Sequence, residues 1–168
     1  DGFLETPSGD PIDLQFVYYT GRPEQQVIVE ASQMILAEYG IKVTPVLNES
    51  QQVQDRLMAG DYDLLCMSIN VLNCADPENH LNTYFKTGGS YQSCGWSNPE
   101  FDAIMDELSE TADADTRVQL DAQQILLDDA VFMAFCYPIM NFTMKNTVSG
   151  IRCTTADYYW INENTEIQ

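Results

Sequence analysis

The sequence predicts a three-layer α/β fold in which helices cover both faces of a mostly parallel β-sheet. Short runs rich in β-branched and aromatic residues alternate along the chain with longer segments whose apolar residues recur at helical spacing. This alternation is typical of parallel strands joined by right-handed helical crossovers. The predicted strands of the sheet are residues 14–19, 41–47, 62–69 and 131–137.

Two helices are predicted between the first three strands. The first covers residues 24–39 and ends at Gly40, which can take the left-handed conformation of a helix C-cap. Ser50 is expected to cap the second helix, which carries Val53 and Leu57 inward. The apolar residues at helical spacing in the first helix are Val27, Ala31, Met34 and Ile35.

Two of the predicted strands, 62–69 and 131–137, are apolar almost throughout. Such runs indicate strands that are buried on both faces, so we expect these two to lie side by side in the middle of the sheet. Cys66 and Cys136 lie within them and are expected to behave as small buried hydrophobic residues.

Two Asx-Pro steps predict the beginnings of later helices. In Asp76-Pro77 and Asn98-Pro99 the first residue can cap the free N–H groups, and proline suits the first helical position because it has no N–H to leave unpaired. A third helix is expected to begin at residues 113–115. The loop 86–98 holds glycines and aromatic residues, which more often cover the edge of a core than line a pocket. The expected inward residues of these helices are Leu81, Tyr84, Phe85, Phe101, Ile104, Met105, Leu108, Val118, Ala122, Ile125 and Leu126.

The loop of residues 70–76 is the candidate ligand-binding element. It follows the strand 62–69, and open α/β sheets bind ligands at the loops that leave the carboxyl ends of their strands. The alternative is that the loop only connects two elements and that Asp76 only caps the next helix. Because Pro77 places the carboxylate of Asp76 over the free N–H groups, we expect capping to be its main role.

The net charge of −19 bears on the class of partner. Nucleic acid and anionic membrane surfaces are poor partners for so negative a protein, whereas cationic ligands are compatible with it. The sequence contains no apolar run long enough to span a membrane and no signal-peptide pattern. Residues 1–4 resemble the interior of a longer sequence, so we expect that any leader has been removed or lies upstream of them.

The sequence lacks the residue patterns that support catalysis or metal binding. It holds one histidine, His80, which we expect to be solvated, and five cysteines without a Cys-x-x-Cys pair, so we expect no structural zinc site, other metal or cofactor. No nucleophile elbow, phosphate-binding loop or dinucleotide fingerprint occurs. The acidic pairs 61/63 and 128/129 lie at the ends of elements, where acids cap and solvate. We therefore expect a protein that is not an enzyme.

Six motifs occur in an order and at spacings that resemble a known family. They include Gly60-Asp61-Tyr62-Asp63 and the two Asx-Pro steps, and they extend over nearly the whole chain. The series resembles the carboxy-terminal lobe of the family 5 extracellular solute-binding proteins, the oligopeptide, dipeptide and nickel binders that feed ABC importers. The segments that carry the resemblance are 23–24 with 36–43, 57–63, 76–85, 98–102, 117–120 and 125–138.

The resemblance implies a lobe with the type II periplasmic-binding-protein fold. Residues 1–168 would form one lobe of a receptor that closes on a peptide or related small solute, and a second lobe, absent here, would supply much of the pocket. The full-length protein would be extracellular or periplasmic, lipid-anchored or secreted, and would deliver its ligand to the membrane permease of an ABC importer. The resemblance implies no membrane insertion of this segment.

The resemblance also implies candidate ligand-binding residues in the loop 70–76. Peptide-binding members use an aspartate in this loop to hold the amino terminus of the peptide, because a buried ammonium needs a paired carboxylate. Aligned on the Asp-Pro step, Asn73 takes that place and Asp76 is the helix cap. Aligned through Cys74-Ala75-Asp76, Asp76 is itself the ammonium ligand. The candidates are therefore Asn70, Asn73, Cys74 and Asp76.

A second hypothesis assigns the same lobe to a different class of protein. The same lobe, fused to a DNA-binding domain, could be the ligand-sensing domain of a cytoplasmic transcription regulator, and unpaired cysteines suit that compartment. The residues upstream of the chain distinguish the two hypotheses. A secretion or lipoprotein leader supports the receptor, and a helix-turn-helix supports the regulator.

Overall fold

The protein is described here from a computed structural model, which covers residues 2–71, 77–110, 116–139, 143–152 and 161–167, without the side chains of Thr116 and Arg117. The chain forms two compact units. Unit 1 comprises residues 1–69 and 93–95, and unit 2 comprises residues 70–92 and 96–168.

Unit 1 is built on a parallel sheet of three strands. Its elements in chain order are β1 (Asp13–Tyr19), α1 (Pro23–Glu38), β2 (Lys42–Asn48), α2 (Ser50–Ala59) and β3 (Leu64–Leu65). The strand order is β2-β1-β3, and both pairings are parallel. The predicted strands 14–19 and 41–47 are therefore confirmed to within one residue.

The two helices of unit 1 cover opposite faces of its sheet. Phe16 packs with Val29 of α1 and Val43 of β2 in one buried cluster. The next residue, Val17, is fully buried and points to the other face because side chains alternate along a strand. The helix α2 packs against β1 and buries Val53 and Leu57, as the sequence predicts. The three-layer α/β arrangement is thus observed in this unit.

The third strand is much shorter than the predicted 62–69. Only Leu64 and Leu65 pair with β1, and Cys66 adds one more bond by donating its N–H to the carbonyl of Val17 at 2.9 Å. Before the strand, the carboxylate of Asp63 accepts the N–H of Gln15 at 2.8 Å. A side chain therefore takes the place of a ladder carbonyl, and regular pairing begins one residue later.

The helix α1 buries a different stripe from the one at helical spacing in the sequence. Val27 and Met34 are 66% and 72% exposed, and Ile35 is also exposed. The residues that face the sheet are instead Gln25, Ile28, Val29 and Leu36. The helix carries apolar residues on more than one side, and the spacing alone does not indicate which side meets the sheet.

The beginning of α2 differs from the prediction by one residue. Glu49, not Ser50, is the N-cap: its side chain accepts the N–H of Gln52, while the Gln52 side chain accepts the N–H of Glu49 at 3.0 Å. Reciprocal bonds of this kind form a capping box, and Ser50 is then the first helical residue. Gly60 ends the helix in the left-handed conformation with φ 66°.

Unit 2 consists mainly of helices. Its elements are α3 (Pro77–Tyr84), α4 (Pro99–Glu110), α5 (Thr116–Asp128) and an antiparallel pair, β4 (Val148–Ser149) with β5 (Glu166–Ile167). Asn98 caps α4 as predicted, since its Oδ1 accepts the N–H groups of Glu100 and Phe101 at 2.9 and 3.3 Å. The core of the unit joins the predicted inward faces of all three helices: Leu81, Phe101, Met105, Leu108, Ala122 and Leu126.

The aromatic residues of the loop 86–98 cover the edge of this core, as expected. Trp96 packs edge-on against Phe101 with ring centroids 5.3 Å apart, and its Nε1–H donates to Asp129 at 3.0 Å. Tyr91 stacks on Tyr84 with centroids 5.4 Å apart.

The prediction of a buried central strand at 131–137 is wrong. The segment has no strand pairing within the described residues, and Met133 and Tyr137 are 73% and 85% exposed. Cys136 is likewise exposed, whereas Cys66 is buried as expected. An apolar run becomes a central strand only if strands pair with it on both sides, and the described sheet holds only β2, β1 and β3.

Candidate functional site

The carboxyl ends of the three parallel strands meet at one edge of the sheet in unit 1. The strands β1 and β2 end opposite each other at Tyr19 and Asn48, and the segment after β3 leaves at the same edge. Ligands of open α/β sheets bind at this edge. Polar groups at this edge could therefore contact a ligand.

Gln25 lies at this edge and is the one buried polar residue of the described chain, with 1% of its surface exposed. Its Oε1 accepts the N–H of Tyr19 at 3.2 Å, and its Nε2 donates to Oγ of Ser68 at 3.2 Å. The first turn of α1 is thus bonded to the end of β1 and to the segment that follows β3. Gln25 was not a sequence candidate, because spacing alone does not indicate which side of α1 meets the sheet.

Two buried oxygen atoms near this edge have no hydrogen-bond partner among the described residues. They are Oε1 of Glu24, in the first turn of α1, and Oδ1 of Asn48, the last residue of β2. A buried acceptor without a partner costs about 1–3 kcal/mol, and more if the group is charged. A ligand that brings N–H donors to this edge would remove that cost. Neither residue was a sequence candidate.

The loop after β1 is held firmly beside these acceptors. The N–H of Thr20 donates to the backbone carbonyl of Asn48 at 3.0 Å. Its hydroxyl Oγ1 donates to Oε2 of Glu49 at 3.1 Å. The backbone that carries the polar edge is therefore fixed by the elements that follow β1 and β2.

Of the four sequence candidates, Asn70 alone lies in the described chain. It is half-buried, in the segment that follows β3. Asn73, Cys74 and Asp76 lie outside the described residues, so their ligand-binding and capping roles stay predictions. The proline that follows them, Pro77, is the first residue of α3.

His80 is half-buried, so the prediction of a solvated side chain is wrong. Its ring lies against Tyr84 and Phe85, with centroid distances of 5.1 and 5.5 Å. Its Nδ1 is buried without a hydrogen-bond partner in the described chain. Burial lowers the pKa of His80 below its ordinary 6.5, because the charged imidazolium loses its hydration. The residue lies on the aromatic side of α3, because residues four apart, such as His80 and Tyr84, share one face of a helix.

The acidic pairs have structural roles, as expected from their places at the ends of elements. Asp61 pairs with Arg56 at 3.1 Å, and Asp63 bonds the backbone of β1. Asp129 accepts from both Trp96 and Asn98. Within the described ranges no group of His, Cys, Asp or Glu residues could hold a metal ion, and no helix there is long and apolar enough to cross a membrane.

Comparison with known proteins yields relatives of one kind. No family model matches the chain. It is 28% identical over 145 residues to the probable D,D-dipeptide-binding periplasmic protein DdpA of Escherichia coli, a match covering 83% of this chain and 28% of DdpA. It is 26% identical over 133 residues to di/tripeptide-binding protein 4 of Pseudomonas aeruginosa, with 76% and 25% covered.

Solved structures give the same result. The periplasmic oligopeptide-binding protein of Thermotoga maritima is 26% identical, with a TM-score of 0.64 over 77% of this chain and 26% of that one. The resemblance to the family 5 solute-binding proteins is confirmed. NikA of Staphylococcus aureus, solved with Ni(L-His)2, superposes on 98% of the chain and 35% of its own length with a TM-score of 0.72; at 18% identity it supports the fold alone.

These matches confirm the fold class that the resemblance implies, which is a lobe of the type II periplasmic-binding-protein fold. They also show that the chain spans only about 28% of DdpA and 25% of the Pseudomonas protein. The relatives are named as binding proteins, not as enzymes, and DdpA is named as periplasmic. The activity, substrates and partners of a whole receptor are therefore matters for proposal.

Proposed function

We propose that residues 1–168 form the carboxy-terminal lobe of an ABC-transporter substrate-binding protein and that this lobe binds, but does not chemically change, a peptide or related small solute. A second lobe closes over the ligand, and the full-length receptor delivers it to a membrane permease. The receptor works outside the cytoplasm, in the periplasm or on the cell surface, held by a lipid anchor or secreted. The two peptide-binding relatives support this proposal.

The observation that carries the proposal is the pair of buried acceptors at the carboxyl edge of the sheet. Glu24 Oε1 and Asn48 Oδ1 have no partner in the described chain and lie where α/β sheets receive ligands. Peptides offer N–H groups and an ammonium, which are the donors that such oxygens need. The negative charge of the chain, −19 in total, favours the approach of a ligand with a positive group.

The loop 70–76 is proposed as a ligand-contacting element on its sequence pattern and the family resemblance alone. Its candidate residues are Asn70, Asn73, Cys74 and Asp76. We propose that the carboxylate of Asp76 mainly caps α3 and keeps one oxygen available to the ligand. Asn73 then stands where peptide-binding members of the family place their aspartate.

The test is peptide titration calorimetry on the full-length protein, with a panel of di- and tripeptides that includes trialanine. Glu24→Gln removes the charge and keeps an acceptor oxygen, so we expect it to weaken binding about tenfold. Glu30→Gln is the matched control, because Glu30 is an exposed residue of the same helix that accepts a bond from Gln26. Equal affinities for the Glu24 variant and the unchanged protein would contradict this assignment.

A further inference from the structure

The helix α1 carries apolar side chains on the face that points away from the sheet. Val27, Met34 and Ile35 are 66%, 72% and 56% exposed, and Ala31 between them is exposed as well. Because these positions are three or four residues apart, they form one stripe along a single face of the helix. This outer stripe of α1 covers residues 27–35 and is about 12 Å long, at a rise of about 1.5 Å per residue.

The outer stripe is not required for the packing of unit 1. The opposite face of α1 already buries Gln25 and Val29. Surface helices ordinarily present polar residues to solvent. Accordingly, α4 exposes no large apolar side chain and α2 exposes one, Met58. Single apolar residues on a surface are common, but apolar residues at helical spacing on one exposed face are typical of a surface that packs against another helix.

The charges beside the outer stripe are negative. Glu30 and Glu38 are exposed on the same side of α1, and this helix contains no lysine or arginine. Neither glutamate is in an ion pair within the described chain, where Lys42 and Arg56 of the neighbouring elements pair with other acids. The two carboxylates are therefore available to a cationic partner.

These charges decide which occupant fits the stripe. Two copies of the chain would bring acidic surfaces together, and each copy has a net charge of −19, so pairing of two copies through this face is unfavourable. An anionic membrane surface is unfavourable for the same reason. A helix with apolar residues on one face and Lys or Arg beside them would cover the stripe and also pair with Glu30 and Glu38.

We propose that the outer stripe of α1 is a docking surface for a basic amphipathic helix of another protein. The apolar face of that helix packs on Val27, Met34 and Ile35, and its cationic side chains lie beside Glu30 and Glu38. The stripe is smaller than the roughly 800 Å² per partner of a stable complex, so we expect weak, reversible binding with a Kd of about 10–100 μM. The inference does not depend on the proposed function, because none of these residues is a proposed ligand contact.

The test uses three synthetic peptides of about 18 residues, long enough to form a helix on binding. The basic amphipathic peptide has leucines on one helical face and lysines beside them. A second peptide has the same composition with the leucines spread around the helix, and a third has glutamate in place of lysine. Fluorescence anisotropy with the full-length protein should give a Kd of about 10–100 μM for the first and at least about tenfold weaker binding for the others. Equal binding of the second peptide would overturn the inference, because charge alone would then explain the binding.

Matched variants of α1 and α2 test the location of the surface. Met34→Gln changes the middle of the stripe, and Met58→Gln makes the same change on α2 at a methionine that is 62% exposed. Glu30→Lys and Asp55→Lys each reverse the charge of an exposed acid that accepts a bond from the glutamine four residues before it. The α1 variants should weaken binding of the basic amphipathic peptide about threefold to tenfold, and the α2 variants by less than about twofold. Equal effects on the two helices would overturn the inference.

Two further results would give the stripe a different occupant and contradict the proposal. A dimer of the chain in analytical ultracentrifugation that Met34→Gln dissociates would make the occupant a second copy. Binding of the basic amphipathic peptide to the chain but not to the full-length protein would mean that the rest of that protein covers the stripe. We expect instead a monomeric chain and equal affinities for the chain and the full-length protein.

Discussion

The carboxylate of Asp63 accepts the backbone N–H of Gln15 at 2.8 Å, just before the first paired residue of β3. The bond joins positions 48 residues apart in sequence and sets where β3 begins to pair with β1. We expect Asp63→Ala to lower the free energy of unfolding by about 1 kcal/mol, because the Gln15 N–H loses its partner. Chemical denaturation of the chain measures this change.

Asp63→Asn is the control for that prediction. Its amide oxygen can still accept the N–H of Gln15, so it should cost less than the alanine variant. Equal losses in the two variants would mean that the charge of Asp63, rather than its bond to β1, stabilises the chain.

The single histidine should make stability depend on pH near neutrality. Burial lowers the pKa of His80 below 6.5, so the unfolded chain binds this proton more readily than the folded chain. The contribution of neutral His80 to the free energy of unfolding is complete above about pH 6.5. It is lost as the pH falls through 6.5 towards the pKa of His80 in the folded chain. Denaturation curves measured from about pH 7.5 to about pH 5.5, on both sides of the ordinary histidine pKa of about 6.5, should show this loss of stability.

His80→Gln isolates the effect, because it removes the only histidine and leaves the carboxylates in place. The slope of stability against pH over that interval should be smaller in the variant. The same slope in both proteins would show that His80 is not desolvated in the folded chain.

Two methionines allow the effect of a substitution in the core to be compared with that of a substitution on the surface. Met105 is fully buried in the core of unit 2, whereas Met34 is 72% exposed on α1. Met105→Ala should lower the free energy of unfolding by about 2–5 kcal/mol, because it leaves a cavity. Met34→Ala should change it by no more than about 0.5 kcal/mol. A large loss at Met34 would mean that the exposed side of α1 is covered in solution.

The proposed cap of α3 is tested at Asp76. If capping is its main role, Asp76→Ala should cost about 1 kcal/mol and Asp76→Asn little, since asparagine caps about as well. In the full-length protein Asp76→Asn should leave peptide affinity nearly intact. Loss of binding with an unchanged melting temperature would instead make Asp76 the ammonium ligand.

Local patterns were enough where a helix or strand needs only its own residues and near neighbours. Asn98 caps α4 through N–H groups two and three residues away, and the inward faces of α4 and α5 follow from helical spacing. Local patterns were insufficient where a distant partner decides. Tyr137 lies in an apolar run that pairs with no strand of the described sheet.

The site shows the same limit. The sequence indicates the loop 70–76 because it follows an apolar run and precedes a helix cap. It does not indicate Gln25 or Glu24, because their importance arises from the packing of α1 on the sheet, which turns a glutamine inward and exposes Val27. The stripe of α1 that meets the sheet is set by tertiary contacts rather than by spacing.

Peptide calorimetry on the chain alone and on the full-length protein tests the proposal that this chain is one lobe of a two-lobed receptor. Under this proposal both lobes are needed to bury the ligand, so we expect the full-length protein to bind a di- or tripeptide with a Kd of about 1 μM or below. The chain alone should bind the same peptide no more tightly than about 1 mM, which corresponds to about 4 kcal/mol. Micromolar binding by the chain alone, or no binding by the full-length protein, would contradict the account.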